Sequence, residues 1–284
     1  MKNLGYYNGE IGLIEELKVP MTDRGLYFGD GIYDAAYSRN HIIYALDEHI
    51  NRFYRNLARL ELNFPMSKEQ LRDLLCDLVR RVDDGEQFVY WQATRGSALR
   101  EHVYPENGCG AANLMVMLRP VKIRDKNAPM RLISAEDKRY LYCDIKTLSL
   151  LPSVLSAQKA KAAGADECVM HRDGRVTECS HSNISMLKDG VFITPPTDCY
   201  ILPGVGRAHL LAACRVLGIP TEERPFTMDE LRDADEVLVS STSKFCLAAK
   251  TLDGAPIGGK DRETYKRLRA HMVDEFYAYI EARK

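Results

Sequence analysis

From Asp47 onward, Ile50, Phe53, Tyr54, Leu57 and Leu60 recur at helical spacing, which predicts a helix capped by Asp47. Ser67 followed by Gln70 has the form of a capping box. It opens a second predicted helix with Leu71, Leu74, Leu75, Leu78 and Val82 on one face. Residues 26–46 read as strand and hairpin, and 88–94 and 113–119 as strands. Further on, Asp173-Gly174 and Asp189-Gly190 each lie between strand-like runs. They predict two hairpins, 167–170 with 175–177 and 183–187 with 191–194. Helices are expected at 153–163 and 206–217, ended by Gly164 and Gly218. Thr227 with Glu230 is another capping box, and Tyr265, Leu268, Met272, Phe276 and Tyr279 mark a closing amphipathic helix. The pattern predicts an α+β chain of two lobes: residues 1–119, a polar linker over 120–126, and a more β-rich lobe over 127–284.

Composition narrows the classes. At 284 residues, with 45% hydrophobic and 28% charged positions, the chain suits a globular protein with a large core. Lys plus Arg is 39 against 40 Asp plus Glu, so no broad basic face for nucleic acid is expected. No run reaches the about 18 apolar residues of a membrane span, and residues 1–8 lack the apolar segment of a signal peptide. Eight cysteines are scattered without Cys-x-x-Cys or Cys/His zinc spacing. No structural metal is therefore expected, and a reducing cytoplasmic location fits.

Lys146 has Ile145, Leu148, Leu150 and Leu151 close by in sequence. Burial lowers a lysine pKa and frees the amine to attack a carbonyl, although the same flanks suit a strand-edge lysine reaching to solvent. Leu202-Pro203-Gly204-Val205-Gly206-Arg207 leads into a helix, where free backbone N–H groups suit a phosphate, or simply an ordinary tight turn. The apolar run 237–239 empties into Ser240, Ser241, Thr242 and Ser243, hydroxyls able to meet phosphate oxygens or to form a solvated turn. Glu178 can face a ring nitrogen or solvent. Arg100 and His102, two residues apart on an extended loop, can clamp a carboxylate or lie on the surface. His49, His171, His209 and His271 show no partner spacing and read as structural or surface residues.

These segments occur in one order. They are Arg24-Gly-Leu-Tyr-Phe-Gly-Asp-Gly-Ile-Tyr33, His49-Ile-Asn-Arg52, Thr94-Arg-Gly96, Arg100-Glu-His102, Cys143-Asp-Ile-Lys146, Glu178-x-Ser-x-Ser-Asn183, Leu202-Pro-Gly204 and Ser241-Thr242. In that order the chain resembles, over nearly its whole length, the fold-type IV pyridoxal-phosphate enzymes, most of all the bacterial D-amino-acid transaminases. The resemblance implies a small N-terminal α/β lobe and a larger β-rich pseudo-barrel lobe. It implies pyridoxal 5'-phosphate as cofactor and ping-pong transfer of the amino group of a D-amino acid such as D-alanine to a 2-oxo acid such as 2-oxoglutarate. Lys146 is then the lysine that holds the cofactor and moves the proton, and Glu178 the partner of the ring nitrogen. Arg52, Leu202, Val205, Gly206, Ser241 and Thr242 are implied around the cofactor, chiefly its phosphate. Tyr33, Arg100 and His102 are implied as the trap for the substrate carboxylate, the Arg and His coming from the partner of a homodimer.

Three positions depart from the family pattern: Asp34 where Glu is usual, Gly206 where Thr is frequent, and Lys244 where Ser is common. Lys244 is expected to add a charge near the cofactor mouth, and Gly206 to leave phosphate binding to the backbone. The rival readings are a branched-chain L-amino-acid or (R)-amine transaminase on the same fold, and a non-catalytic binder of phosphorylated ligands.

Overall fold

Alternating buried positions build the first of two sheets in the computed structural model, which describes residues 1–105, 108–122, 129–242 and 244–284. β1 (Leu4–Tyr7) and β2 (Glu10–Gly12) make a hairpin over Asn8-Gly9, both at positive φ. There follow α1 (Arg24–Phe28), β3 (Gly31–Arg39), β4 (Ile42–Ile43), α2 (Leu46–Arg59), α3 (Lys68–Arg80), β5 (Gln87–Thr94) and β6 (Asn113–Pro120). The strand order is β2-β1-β6-β5-β3-β4, antiparallel throughout. Ile50, Phe53 and Leu57 of α2 and Leu71, Leu75 and Leu78 of α3 bury against Ile32, Trp91 and Val116 of the sheet.

The capping box of α3 forms in both directions, as expected. Helix α2 begins one residue before Asp47, capped by Ala45 in the left-handed region, and Asp47 lies in the first turn where the helix dipole favours it. α1 interrupts the stretch expected to be strand. The Asp23 side chain accepts from Gly25 N at 2.8 Å, and Gly29 at φ 61° ends the turn, a local cap that outweighs the strand-like residues between.

The second sheet is mixed and curls into a half-barrel. It is built from β7 (Met130–Glu136), α4 (Leu151–Ala162), β8 (Glu167–Arg172), β9 (Arg175–Cys179), β10 (Asn183–Lys188), β11 (Val191–Thr194), α5 (Val205–Leu217), β12 (Thr221–Glu223), α6 (Met228–Asp233), β13 (Glu236–Ser240), β14 (Leu247–Leu252), β15 (Ala255–Pro256) and α7 (Arg262–Glu281). The order is β12-β11-β10-β13-β14-β7-β8-β9, with β15 on β14. Both expected hairpins form, β8–β9 and β10–β11, with Asp and Gly at positive φ in each turn.

The chain makes two compact units: Met1–Arg124 with Ile145–Ser149 and Tyr279–Lys284, and Asp125–Asp144 with Leu150–Ala278. Of the linker expected at 120–126, positions 123–126 lie outside the described residues. The segment Ile145–Ser149 returns to the first unit, where Ile145 joins the core.

Candidate active site

In the first unit, backbone hydrogen bonds hold Lys146 beside β3. Tyr33 N donates to Lys146 O at 2.9 Å, and Leu148 N to Gly31 O at 3.1 Å. The half-buried Lys146 side chain lies over Tyr33, its Nζ 4.3 Å from the ring centroid, and Tyr33 in turn stacks on Tyr90. The structure thus brings together two of the residues singled out in sequence.

On the opposite face of β3, Asp34 meets His49 and Arg52 of α2, all three buried. Arg52 donates through Nε and Nη2 to the two carboxylate oxygens at 2.9 and 2.7 Å, and His49 Nδ1 lies 2.8 Å from Oδ1. Burial acts to raise Asp34, but Arg52 and then His49 outweigh it and hold the carboxyl well below its usual range. Burial also lowers His49, which is therefore a neutral donor. His49, read as structural or surface in sequence, is the buried orienting group of this pair.

Arg100 and His102 are exposed and both lie beside the Phe28 ring: Arg100 Cζ lies 5.2 Å from its centroid and the His102 ring 5.3 Å, with Arg24 Cζ at 4.8 Å. Their loop is tied down by buried Arg24, which donates to the Glu101 carbonyl at 2.7 Å and to Asp30 Oδ2 at 2.9 Å. Asp30 also accepts from Arg95. Among the described residues, neither Arg100 nor His102 forms a hydrogen bond or ion pair with Lys146 or Tyr33 in the same chain.

The second unit carries the other half of the candidate residues. Glu178 on β9 is buried and accepts from Asn183 Nδ2 at 2.8 Å and from Leu202 N at 3.2 Å through Oε2, and from Arg139 Nη1 through Oε1. Arg139 also holds Asp137 and the Tyr200 carbonyl. Burial acts to lower Arg139, but Glu178 and Asp137 prevail and push the guanidinium above its ordinary value. The same guanidinium, against the cost of burial, keeps Asp137 low.

At the start of α5, Gly204 is the cap and Val205 and Gly206 begin the helix, with no side chain capping the free N–H groups. A Cβ on Gly204 would stand 1.9 Å from Asn183 Oδ1, and one on Gly206 would stand 3.1 Å from the carbonyl carbon of Ser241. Two bare backbones therefore converge, the helix N-terminus and the Ser241–Thr242 turn, in an arrangement suited to a phosphate. A side chain at Gly206 would press on the Ser241 backbone, which is the physical counterpart of the missing threonine.

These residues fit pyridoxal 5'-phosphate. Glu178, paired with Arg139 and hydrogen-bonded by Asn183, is the acceptor a ring N–H needs, and the backbone cradle at α5 suits the phosphate. Arg139, Asp137, Arg24 and Asp30 were not singled out by sequence. Arg24 and Asp30 lie within the ordered motifs, so a signal was there; Arg139 carries none, because its partner stands 39 positions away.

The chain matches the amino-transferase class IV family over residues 31–252. It is 39% identical over 265 residues, 92% of each chain, to the D-alanine aminotransferase of Listeria monocytogenes serotype 4b. It is 38% identical over 258 residues to that of Bacillus licheniformis, with 89% of each chain covered, and 37% over 281 residues to that of Staphylococcus aureus, with 98% covered. Among solved structures, a branched-chain amino acid aminotransferase in complex with N-(5'-phosphopyridoxyl)-L-glutamate superposes with TM-score 0.87 at 25% identity, covering 97% of this chain and 94% of that one. The branched-chain enzyme from Escherichia coli superposes at 0.88 with 20% identity, covering 97% and 95%, a likeness of fold. The protein belongs to the class IV aminotransferases, enzymes that use pyridoxal 5'-phosphate. The expected α+β fold and the expected enzyme class are thereby borne out.

Proposed function

We propose that this chain is a D-amino-acid transaminase that moves the amino group of D-alanine or a similar donor onto a 2-oxo acid such as 2-oxoglutarate. The observation that carries the D-amino-acid reading is the Arg100–His102 pair on the Phe28 ring, on a loop fastened by Arg24. A guanidinium and an imidazole held beside one aromatic ring suit a substrate carboxylate. The relatives from Listeria monocytogenes, Bacillus licheniformis and Staphylococcus aureus are each named D-alanine aminotransferase, which supports the same reading over the branched-chain one.

Each residue then has a physical task. Lys146 Nζ, poised over Tyr33, holds the cofactor and takes the proton from the substrate Cα as general base. Glu178 accepts from the ring N–H, and Arg139 pairs with that carboxylate while Asn183 and the Leu202 N–H orient it. When bound, the cofactor supplies an electron sink for the charge that develops at Cα. The Val205 and Gly206 backbone, Ser241 and Thr242 hold the phosphate, and Arg52, fixed by Asp34, has the part of a phosphate-binding arginine that the family resemblance gives it. Tyr33 orients the substrate beside Lys146.

The reading includes a homodimer in which Arg100 and His102 serve the partner's site. In support, the first unit exposes Leu26, Leu99, Val103 and Tyr104, and the second unit Tyr140, Leu141, Tyr142, Leu151, Val154 and Leu155, apolar side chains that a subunit contact would cover. A cytoplasmic location accords with eight free cysteines, and no helix among the described residues is long and apolar enough to cross a membrane.

The test is the visible absorption spectrum of the purified, cofactor-loaded protein before and after D-alanine, with L-leucine in parallel. The band should bleach with D-alanine alone. Bleaching with L-leucine instead assigns the protein to the branched-chain activity, and a protein that takes up no pyridoxal phosphate has none of the proposed chemistry.

A further inference from the structure

Glu167, the first residue of β8, is 1% exposed, and four side chains converge on it. Ser180 Oγ donates to Oε1. Ser182 Oγ donates to Oε2 at 3.0 Å, Lys244 Nζ lies 2.6 Å from the same oxygen, and His181 Nδ1 lies 3.1 Å away. Lys244 Nζ also reaches Ser182 Oγ at 2.8 Å and His181 Nε2 at 3.2 Å. An ammonium has three N–H donors, and all three are committed here. Lys244 is thus neutralised where it lies rather than adding a free charge at the cofactor mouth.

Its backbone faces the other way. Lys244 N donates to Ser241 Oγ and to the Ser241 carbonyl, both at 3.2 Å, closing the turn that leaves β13. Ser240, the last residue of β13, pairs with Asn183 of β10, the residue that holds Glu178. The Lys244 side chain therefore pins the Ser241–Thr242 turn to the Ser180–Asn183 segment, and Ser241 is what the bare Cα of Gly206 packs against.

We propose that Lys244 is a positioning residue for the cofactor phosphate: through Glu167, Ser182 and His181 it fastens the Ser241–Thr242 turn and so sets the width of the cradle between that turn and the start of α5. The inference rests on the reading of this cradle as the phosphate site. A buried carboxylate has to be paired, so the tether is strong, and it acts without touching the phosphate.

The experiment titrates the cofactor-free protein with pyridoxal 5'-phosphate and, separately, with pyridoxal, which lacks the phosphate, following the visible band. Lys244→Met should weaken pyridoxal phosphate by about tenfold or more while leaving pyridoxal within about twofold of the wild type, and Lys244→Arg should recover most of the loss. Because Lys244→Met leaves the buried Glu167 without its lysine, the double variant Glu167→Gln/Lys244→Met, which removes the buried charge and whose amide can accept from one serine and donate to the other, should fold and show the same selective loss. Wild-type affinity for pyridoxal phosphate in the double variant overturns the inference, as does an equal loss for both ligands. A wild-type protein that takes up neither ligand overturns the aminotransferase reading itself, so the two failures are distinct.

Discussion

The ionisable residues of the site are set by their partners rather than by their flanks. Burial pushes Glu167 up, but His181 and Lys244 outweigh it and bring the carboxyl down to about 2 from 4.5. A depressed folded-state value contributes stability that is fully present above 4.5 and is lost as pH falls towards about 2. Glu167→Gln should therefore remove part of the acid sensitivity. Urea unfolding midpoints of wild type and variant should converge as pH drops from about 6 to about 3, the wild type losing a few kcal/mol more than the variant. Parallel curves would mean that the folded protein does not favour the ionised carboxylate. Asp34 and Asp137 are depressed as well, but the comparison with the variant isolates the Glu167 share.

At the scale of elements, the start of α5 illustrates how a local motif becomes a site. Gly206 is helical, where glycine is intrinsically poor, so its presence needs a packing reason, and the Ser241 carbonyl carbon 3.1 Å from its missing Cβ provides one. Gly206→Thr should force the turn outward by overpacking, which costs about 1–3 kcal/mol. The dissociation constant for pyridoxal phosphate should then rise about tenfold, with Gly206→Ala intermediate, even though the change adds a hydroxyl. A tighter complex in the threonine variant would show that the turn yields and the hydroxyl binds.

What the sequence made legible at this scale was local. The Ser67–Gln70 and Thr227–Glu230 boxes and the Asp-Gly hairpin turns each lie within a few residues, and all form. The parallel pairing of β7 with β14 joins residues more than a hundred positions apart, and although Asp253-Gly254 closes a hairpin between β14 and β15, nothing near either strand announces that pairing. Long separations in sequence likewise divide Lys244 from Glu167 and Arg139 from Glu178. The candidate site was readable as motifs, but the ion pairs that tune it were not.

The whole molecule raises the question of where a complete site is assembled. Arg100 and His102 make no polar contact with Lys146 in their own chain among the described residues, and exposed apolar side chains lie on both units. In a closed twofold dimer each subunit can complete the other. Lys146→Ala should be inactive alone, because it lacks the base, and Arg100→Ala/His102→Ala should show a strongly raised Michaelis constant for D-alanine. A site on the trap-deficient subunit still has Lys146, and a Lys146→Ala partner would lend it an intact trap. Unfolding and refolding the two variants together at equal amounts should restore about a quarter of wild-type activity at low D-alanine, since half the dimers are hybrids with one complete site each. If each chain used its own trap, no hybrid site would be complete and mixing would restore nothing.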